Sequence, residues 1–440
     1  MLLVTVLPAN ATADPSGEEP PNYATSDGSE GDPYEIASWE NLYWLSQNSG
    51  EWDKHYIQTA DVAFPQTGSD DIHAWDGGGG FTPIGLTGSY DGQSHTIDGL
   101  FIDRPSTSYV GLFAILQFGN VVDVHLTGVD VTGEHRTGAL VGKNNFGAIE
   151  GSSSAGTVVG GGYTGGLVGW NSNGHMDGCH SSSSVEGASY TGGLVGYNYG
   201  AMDGCHSSGS VQGETYTGGL VGNNRSEIEN CYSTGAVTGT DSVGGLVGSN
   251  ALVIERCYST GAVTGSTSVG GMVGETSTGA SDSFWDTMTS GQETSACGTG
   301  KTTDQMTDVR TFLDAGWSEG LTDPWDFDNT WWIHPDHNAG YPYLQGQDLP
   351  RPASVVEGTV TEYGNSNAIE GADVSCSLTG TPETTDTSGG YRFEFPVFAD
   401  PVNVELECSH PDYSDTIAAV TLSGETTVEC NFEMKWSDIQ

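Results

Sequence analysis

The sequence predicts an all-β protein: a β-solenoid of about 26 residues per rung with capping helices, followed by a small β-sandwich. The first observation is a segment that recurs with little drift. It reads Thr-Gly-Gly-Leu-Val-Gly from Thr164, Thr191 and Thr217, Val-Gly-Gly-Leu-Val-Gly from Val243, and Val-Gly-Gly-Met-Val-Gly from Val269. Its central apolar residues are Leu140, Leu167, Leu194, Leu220, Leu246 and Met272, spaced 27, 27, 26, 26 and 26, with Leu112 another 28 residues back. The second is that each unit adds short alternating strands, as at Ile228–Ser233 and Gly235–Gly239, with no helical period. Three short strands per unit make one solenoid turn, and about seven or eight rungs at ~4.8 Å give a stalk of ~35–40 Å. The third is 66 glycines in 440 residues, about twice the ~7% of ordinary proteins.

Taken in chain order, residues 1–13 read as a truncated signal peptide, a short apolar run ending in the small-x-small pattern Ala11-Thr12-Ala13. Residues 14–31, rich in Pro, Gly, Ser and Glu, form a flexible lead-in. Residues 32–109 are the amino-terminal cap and first rungs, with a helix near Ser38–Asn48 and Ser38 as its N-cap. The solenoid proper is 110–280, and 281–348 closes it with a second helix near Thr303–Ala315. Such end units cover exposed strand edges. A Pro-Arg-Pro linker at 349–355 leads to 356–436, where alternating strands such as Tyr391–Phe395 and Val402–Cys408 read as a β-sandwich.

Stacked rungs create columns of equivalent residues. Asn144, Asn171, Asn198, Asn224 and Asn250 form one, suited to amide hydrogen bonds up the stack, ending at Thr276. Cys179, Cys205, Cys231 and Cys257 form another at 26-residue intervals, as small interior residues or as bridged pairs on adjacent rungs. Pairing among Cys297, Cys376, Cys408 and Cys430 is left open by the sequence. His180 and His206, continued by Tyr232 and Tyr258, follow the cysteines and are expected to point outward. Tyr163, Tyr190 and Tyr216 precede the Gly-Gly-Leu strand, and Trp170 and Tyr197 follow it. Together they form an aromatic face of the kind that sugar rings or protein partners stack against, and that also steadies a stack by itself.

These units resemble GLUG motif repeats of secreted bacterial and archaeal surface proteins, including adhesin-like and filamentous-haemagglutinin-like chains. The resemblance runs from about Asp32 to Leu344 and includes Asp32-Pro-Tyr-Glu-Ile, Phe81-Thr-Pro-Ile-Gly and Gly340-Tyr-Pro-Tyr-Leu. The last module resembles the carboxypeptidase regulatory-like (transthyretin-like) family through Glu357-Gly-Thr-Val, Ile369-Glu-Gly-Ala-Asp-Val and Thr385-Asp-Thr-Ser-Gly-Gly-Tyr-Arg-Phe. That family implies an accessory fold without catalytic residues.

Charge narrows the function. With 58 Asp and Glu against 11 Lys and Arg, the net charge is −47, and nucleic acid is excluded as a partner because a phosphate backbone requires clustered cations. Acidity spread along the whole chain points to a hypersaline, haloarchaeal source, where molar salt screens self-repulsion. No stretch reaches the ~18–20 apolar residues of a membrane span. The stacked carboxylates Asp177 and Asp203 are the best glycosidase-like pair, yet an acidic column here reads as a solvated face. His334 and His337 in the closing segment read as packing, and no catalytic motif, metal site or cofactor is expected. Asn224-Arg-Ser226 is an N-glycosylation sequon on an expected turn. The expectation is a non-catalytic, secreted, cell-surface adhesin-like protein that binds glycans or envelope proteins through the solenoid. The alternatives are a self-associating structural subunit of an appendage, matrix or virion, and a polysaccharide lyase or glycosidase.

Overall fold

The computed structural model describes residues 14–313, 321, 324–327, 329–334, 337–345, 354–378, 382–395, 402–422 and 427–435. The signal-like residues 1–13 and most of the 349–355 linker lie outside them. Two compact units emerge, Met1–Thr302 and Thr303–Gln440.

The first unit is a β-solenoid. One rung runs through five short strands, Ser189–Gly192, Val195–Asn198, Met202–Asp203, His206–Ser207 and Val211–Gln212. Each pairs in parallel with its equivalent on the next rung, for example Val195 with Val221 and Met202 with Ile228. The first strands stack into a six-stranded wall, the second into an eight-stranded wall and the third into a ten-stranded wall. The fourth and fifth join one 15-stranded sheet. The sequence reading expected three strands per rung. One of the two extra breaks comes from residues in the left-handed region: Gly178, Gly204, Asn230 and Arg256, with φ between 48° and 61°, divide the third strand from the fourth.

Leu194, Val195, Met202 and Cys205, with their equivalents above and below, fill the interior and are almost wholly buried. A smaller apolar seam holds Val211, Val237 and Val263 against Val243. Lower in that seam, Val243 is replaced by Thr137, Thr164, Thr191 and Thr217, whose buried hydroxyls have no hydrogen-bond partner. These threonines act as valine-shaped filler.

The repeated glycines have a specific cause. The first wall of one rung lies directly against the second wall of the next. A Cβ on Gly222 would come within 2.5 Å of the Tyr190 carbonyl carbon and 2.6 Å of the Thr191 nitrogen. A Cβ on Gly196 would meet Tyr163 and Thr164 in the same way. Backbone touches backbone, and any side chain would force the walls apart.

At the amino end, the expected helix spans Trp39–Gln47, with Asn41 Oδ1 accepting the amides of Ala37 and Ser38 at 3.0 and 3.2 Å. Its Leu42, Tyr43 and Leu45 join the main core, and Tyr43 meets Trp75 edge-on at 5.0 Å. At the other end of this unit, Trp285 lies over Gly271 and Thr299–Lys301 adds a last strand beyond Phe284–Asp286.

In the second unit, the helix expected near Thr303–Ala315 is present as two single turns, Thr303–Met306 and Arg310–Leu313. Two four-stranded sheets follow. In one, Ser354–Glu362 pairs with Gly390–Phe395, Thr427–Glu429 and Phe432–Met434. In the other, Asp373–Cys376 and Val402–Ser409 are central. They pack face to face, Cys408 Sγ lying 3.5 Å from Met434 Sδ. Among the described residues, no helix is long and apolar enough to cross a membrane.

Gly222→Ala is expected to cost about 3 kcal/mol or more, at the upper end for overpacking, because backbone must move. Gly204→Asn should stay within about 1 kcal/mol, since Asn230 and Arg256 already adopt that left-handed corner. Thermal melts in molar NaCl compare the two. Equal losses would refute the wall-contact account of the motif.

Candidate functional site: an aromatic wall on the solenoid

The residue before each Gly-Gly-Leu segment is left-handed. Tyr109, Arg136, Tyr163, Tyr190, Tyr216, Ser242 and Ser268 have φ between 50° and 65°. This conformation costs a bulky residue roughly 1–2 kcal/mol, and here it turns the side chain out while the following Thr or Val turns in. Three tyrosines stack as a consequence. Tyr163 and Tyr190 have ring centroids 4.9 Å apart and planes 13° apart, and Tyr190 and Tyr216 are at 5.0 Å and 8°.

Wall contact then fuses two columns into one patch. Tyr197, from the second wall, meets Tyr190 edge-on at 5.5 Å and Tyr163 at the same distance, while Trp170 lies 6.1 Å from Tyr163. All five expected rings are thus brought together, half-buried rather than fully exposed. Burial, and then the neighbouring tyrosines, raise the Tyr190 hydroxyl above its ordinary pKa, with Arg225 opposing.

Two cations at the lower end were missed by sequence reasoning. The Arg136 guanidinium lies 4.9 Å from the Tyr109 ring centroid, 5.3 Å from Tyr163 and 5.1 Å from Trp170, and Lys143 Nζ is 4.5 Å above Trp170. The available signal was positional: Arg136 occupies the tyrosine column and Lys143 pairs in register with Trp170.

The asparagine column is a continuous ladder inside the coil. Nδ2 of Asn144, Asn171, Asn198 and Asn224 each donates to Oδ1 of the asparagine above, at 3.1, 2.9, 2.9 and 2.8 Å. Asn144 and Asn171 also donate to Gly147 and Gly174 carbonyls at 3.0 Å, closing the corner. Above Asn250, Thr278 accepts the last amide. The chain bends at Ser226 as expected, but Asn224 ends the strand Val221–Asn224 and is wholly buried in this ladder, so its sequon is no acceptor for glycan in the folded chain.

Cys179, Cys205, Cys231 and Cys257 are buried and free; the other four cysteines are also free, with Cys297 only partly buried. Each thiol does a backbone job. Cys231 Sγ donates to Glu229 O at 2.9 Å and accepts Cys205 N at 3.3 Å. Ser152 and Ser283 do the same at the ends of the column, donating to Glu150 O and Ser281 O and accepting Val124 N and Cys257 N. Burial raises the Cys179 and Cys231 thiols well above their ordinary range, while at Cys205 burial is outweighed by hydrogen bonds with both of them, which lower its thiol to about 5.

The histidine column differs from expectation. His180, His206, Tyr232 and Tyr258 stack at 4.7–5.0 Å with planes within 8°, but Tyr232 and Tyr258 are buried, not outward and open. Each ring hides its neighbours' faces. Burial, and secondly His180, lowers the His206 pKa to about 3; burial and His125 lower His180.

Asp177 and Asp203 are register neighbours on the third wall, with Asn230 donating to Asp203 at 2.9 Å. His334 and His337 have ring centroids 4.7 Å apart in the second unit. Among the described residues, no group of three or more His, Cys, Asp or Glu is placed to hold a metal ion.

Known proteins share parts of this chain. The GLUG motif matches residues 187–212 and 213–238. Halomucin of Haloquadratum walsbyi is 35% identical over 145 residues, 31% of this chain and 2% of halomucin. A protein of Evansella cellulosilytica named as a Gly-rich membrane protein is 32% identical over 142 residues, 30% of this chain and 15% of that one. The chain therefore spans a small part of the length of these curated relatives. A solved structure from Bacteroides ovatus, named as an immunoglobulin A1 protease, aligns over 73% of this chain and 94% of its own at 20% identity, with a TM-score of 0.43. That likeness carries no functional argument.

Cys231→Ser is expected to change stability by less than about 1 kcal/mol, because serine fills the same role at positions 152 and 283. Cys231→Ala should lose about 2–3 kcal/mol by orphaning the Cys205 amide and leaving a void. Denaturant melts under reducing conditions separate the two.

His206 also sets a pH signature. Its folded pKa lies below the free imidazole's ~6.5, so its contribution is complete above that value and drains away as pH falls toward about 3. Replacing it by the tyrosine of the next rung, His206→Tyr, should narrow the loss of stability between pH 6.5 and 4.5 by up to about 1.4 kcal/mol per pH unit. Parallel pH profiles for variant and wild type would rule this out.

Proposed function

We propose that this chain is a non-catalytic cell-surface protein of a halophile, whose solenoid displays the aromatic wall as a binding face for glycans. The observation that carries the reading is the convergence of Tyr163, Tyr190, Tyr216, Trp170 and Tyr197 on two contacting walls. There a rigid frame holds flat apolar rings at fixed spacing, as stacking against sugar faces requires. The frame itself is over-determined by buried ladders, so the rings lose little freedom on binding.

The names of the relatives support a surface location: halomucin of Haloquadratum walsbyi, and a Gly-rich membrane protein. The net charge of −47 fits the same setting. In this reading the carboxy-terminal sandwich is an accessory, transthyretin-like module, secreted with the solenoid and outside the cell.

A glycan array probed with the purified protein in molar NaCl tests the proposal. Binding to defined glycans is expected, with at least about a tenfold loss in Trp170→Ala and Tyr190→Ala variants whose melts remain within a few degrees of wild type. Absence of binding to any glycan, together with concentration-dependent self-association in light scattering, would replace this reading by that of a structural subunit.

A further inference from the structure

Cations are scarce in this chain, 11 against 58 acids, and most of those described as paired sit on carboxylates: Arg104 on Asp76, Arg256 on Glu229 and Glu255, Arg392 on Glu357. The cations at the aromatic wall do not, and neither does Lys435, whose ammonium lies 4.6 Å from the Tyr363 ring centroid in the second unit. Among the described residues, no carboxylate lies within ion-pairing distance of Arg136, Lys143 or Arg225, and all three border the same patch. Arg136 and Lys143 flank Trp170 from below. Arg225 follows Asn223 and Asn224 along the second wall, one rung above Tyr197, exposed and anchored through its amide to Asn198 O at 2.8 Å. From the rung of Arg136 to that of Arg225 is three strand spacings, roughly 14 Å.

Within the patch, the donors Arg136 Nε and Trp170 Nε1 are buried without a hydrogen-bond partner, as is the acceptor Asn223 Oδ1 one rung above Tyr197. Bringing Lys143 beside Arg136 in partly buried surroundings is unfavourable by itself; burial first, and then Arg136, lowers the Lys143 pKa. Arg136 and Lys143 on one rung of the patch, and Arg225 three rungs along it, are thus left without a carboxylate among the described residues of a chain that has 58 acids.

We propose that Arg136, Lys143 and Arg225 are the anion-recognition points of the aromatic wall, and that its ligand is an acidic polysaccharide bearing sulfate or carboxylate groups. Sugar faces lie on Tyr163, Tyr190, Tyr216, Trp170 and Tyr197, while the anionic substituents meet the three cations. This rests on the glycan-binding reading above and narrows its ligand class. Long-range repulsion between a polyanion and a chain of charge −47 is screened to about 3 Å at 1 M salt, whereas contact pairs over half-buried rings persist. The wall therefore selects acidic sugars where salt is high.

The test uses the full chain in 2–3 M NaCl (roughly the regime in which the Debye length falls to a few ångströms) with dextran, carboxymethyl dextran and dextran sulfate as matched probes. At least one anionic form is expected to bind about tenfold or more tighter than dextran; comparison of the two anionic arms identifies carboxylate or sulfate as the preferred group. Lys143→Gln combined with Arg225→Gln should bring anionic and neutral polymers to similar affinity, and Arg136→Gln should act in the same direction. Because Arg136 is packed among rings, the Lys143 and Arg225 pair keeps the test decisive if Arg136→Gln fails to fold. Equal wild-type binding to all three polymers, or an anionic preference that survives the double substitution, overturns this inference while leaving the glycan-binding wall intact. No binding to any polymer or array glycan overturns both.

Discussion

Backbone contact between successive walls is the constraint on which the rest of this solenoid depends. Gly196 and Gly222 lie against the peptide groups of Tyr163–Thr164 and Tyr190–Thr191 at distances no Cβ tolerates. Once those walls touch, the chain must turn sharply before each Gly-Gly-Leu segment, and a left-handed residue supplies the turn. The strain of holding Tyr163, Tyr190 and Tyr216 at positive φ is local and recurs on every rung. Ring stacking up the column offsets part of it. The functional face is thus a by-product of the same geometry that makes the coil.

A coil built of parallel strands has little room for apolar side chains, and its corners leave backbone groups in need of partners. Columns solve this repeatedly. The asparagine ladder ties corners to one another through amide bonds, and the Cys/Ser column returns a donor to the carbonyl two residues earlier while accepting an amide from the rung below. Stacked His and Tyr rings cover each other. Threonines in the smaller seam hold buried hydroxyls without partners, a cost that the valines above avoid.

Charge is organised by the same principle of repetition. Carboxylates are largely placed outward, where salt screens them, and Arg256 ties adjacent rungs through Glu229 and Glu255. Against that background, a patch holding five aromatic rings and three cations free of carboxylates is electrostatically unlike its surroundings. Such contrast on a rigid frame is what recognition uses.

The repeat spacing alone determined the solenoid, its interior columns and the limits of the asparagine ladder, because residues 26 or 27 positions apart become neighbours once the chain closes a rung. Composition likewise determined the acidic coat. Three matters were decided only by tertiary structure. Five strands form where three were expected, and one of the two extra breaks comes from left-handed corners at Gly178, Gly204, Asn230 and Arg256 that interrupt a run read as continuous. Tyr232 and Tyr258 are enclosed rather than open, and Asn224 is an interior ladder residue rather than a glycosylation site, because alternation along a strand does not reveal what covers its outer face. Finally, the sequence placed the tyrosines and Trp170 in separate columns and gave no role to Arg136 or Lys143. Only the contact of two walls brings Tyr163 and Tyr190 against Trp170 and Tyr197, and Arg136 against Trp170, at 5.1–6.1 Å, a closeness that no linear spacing encodes.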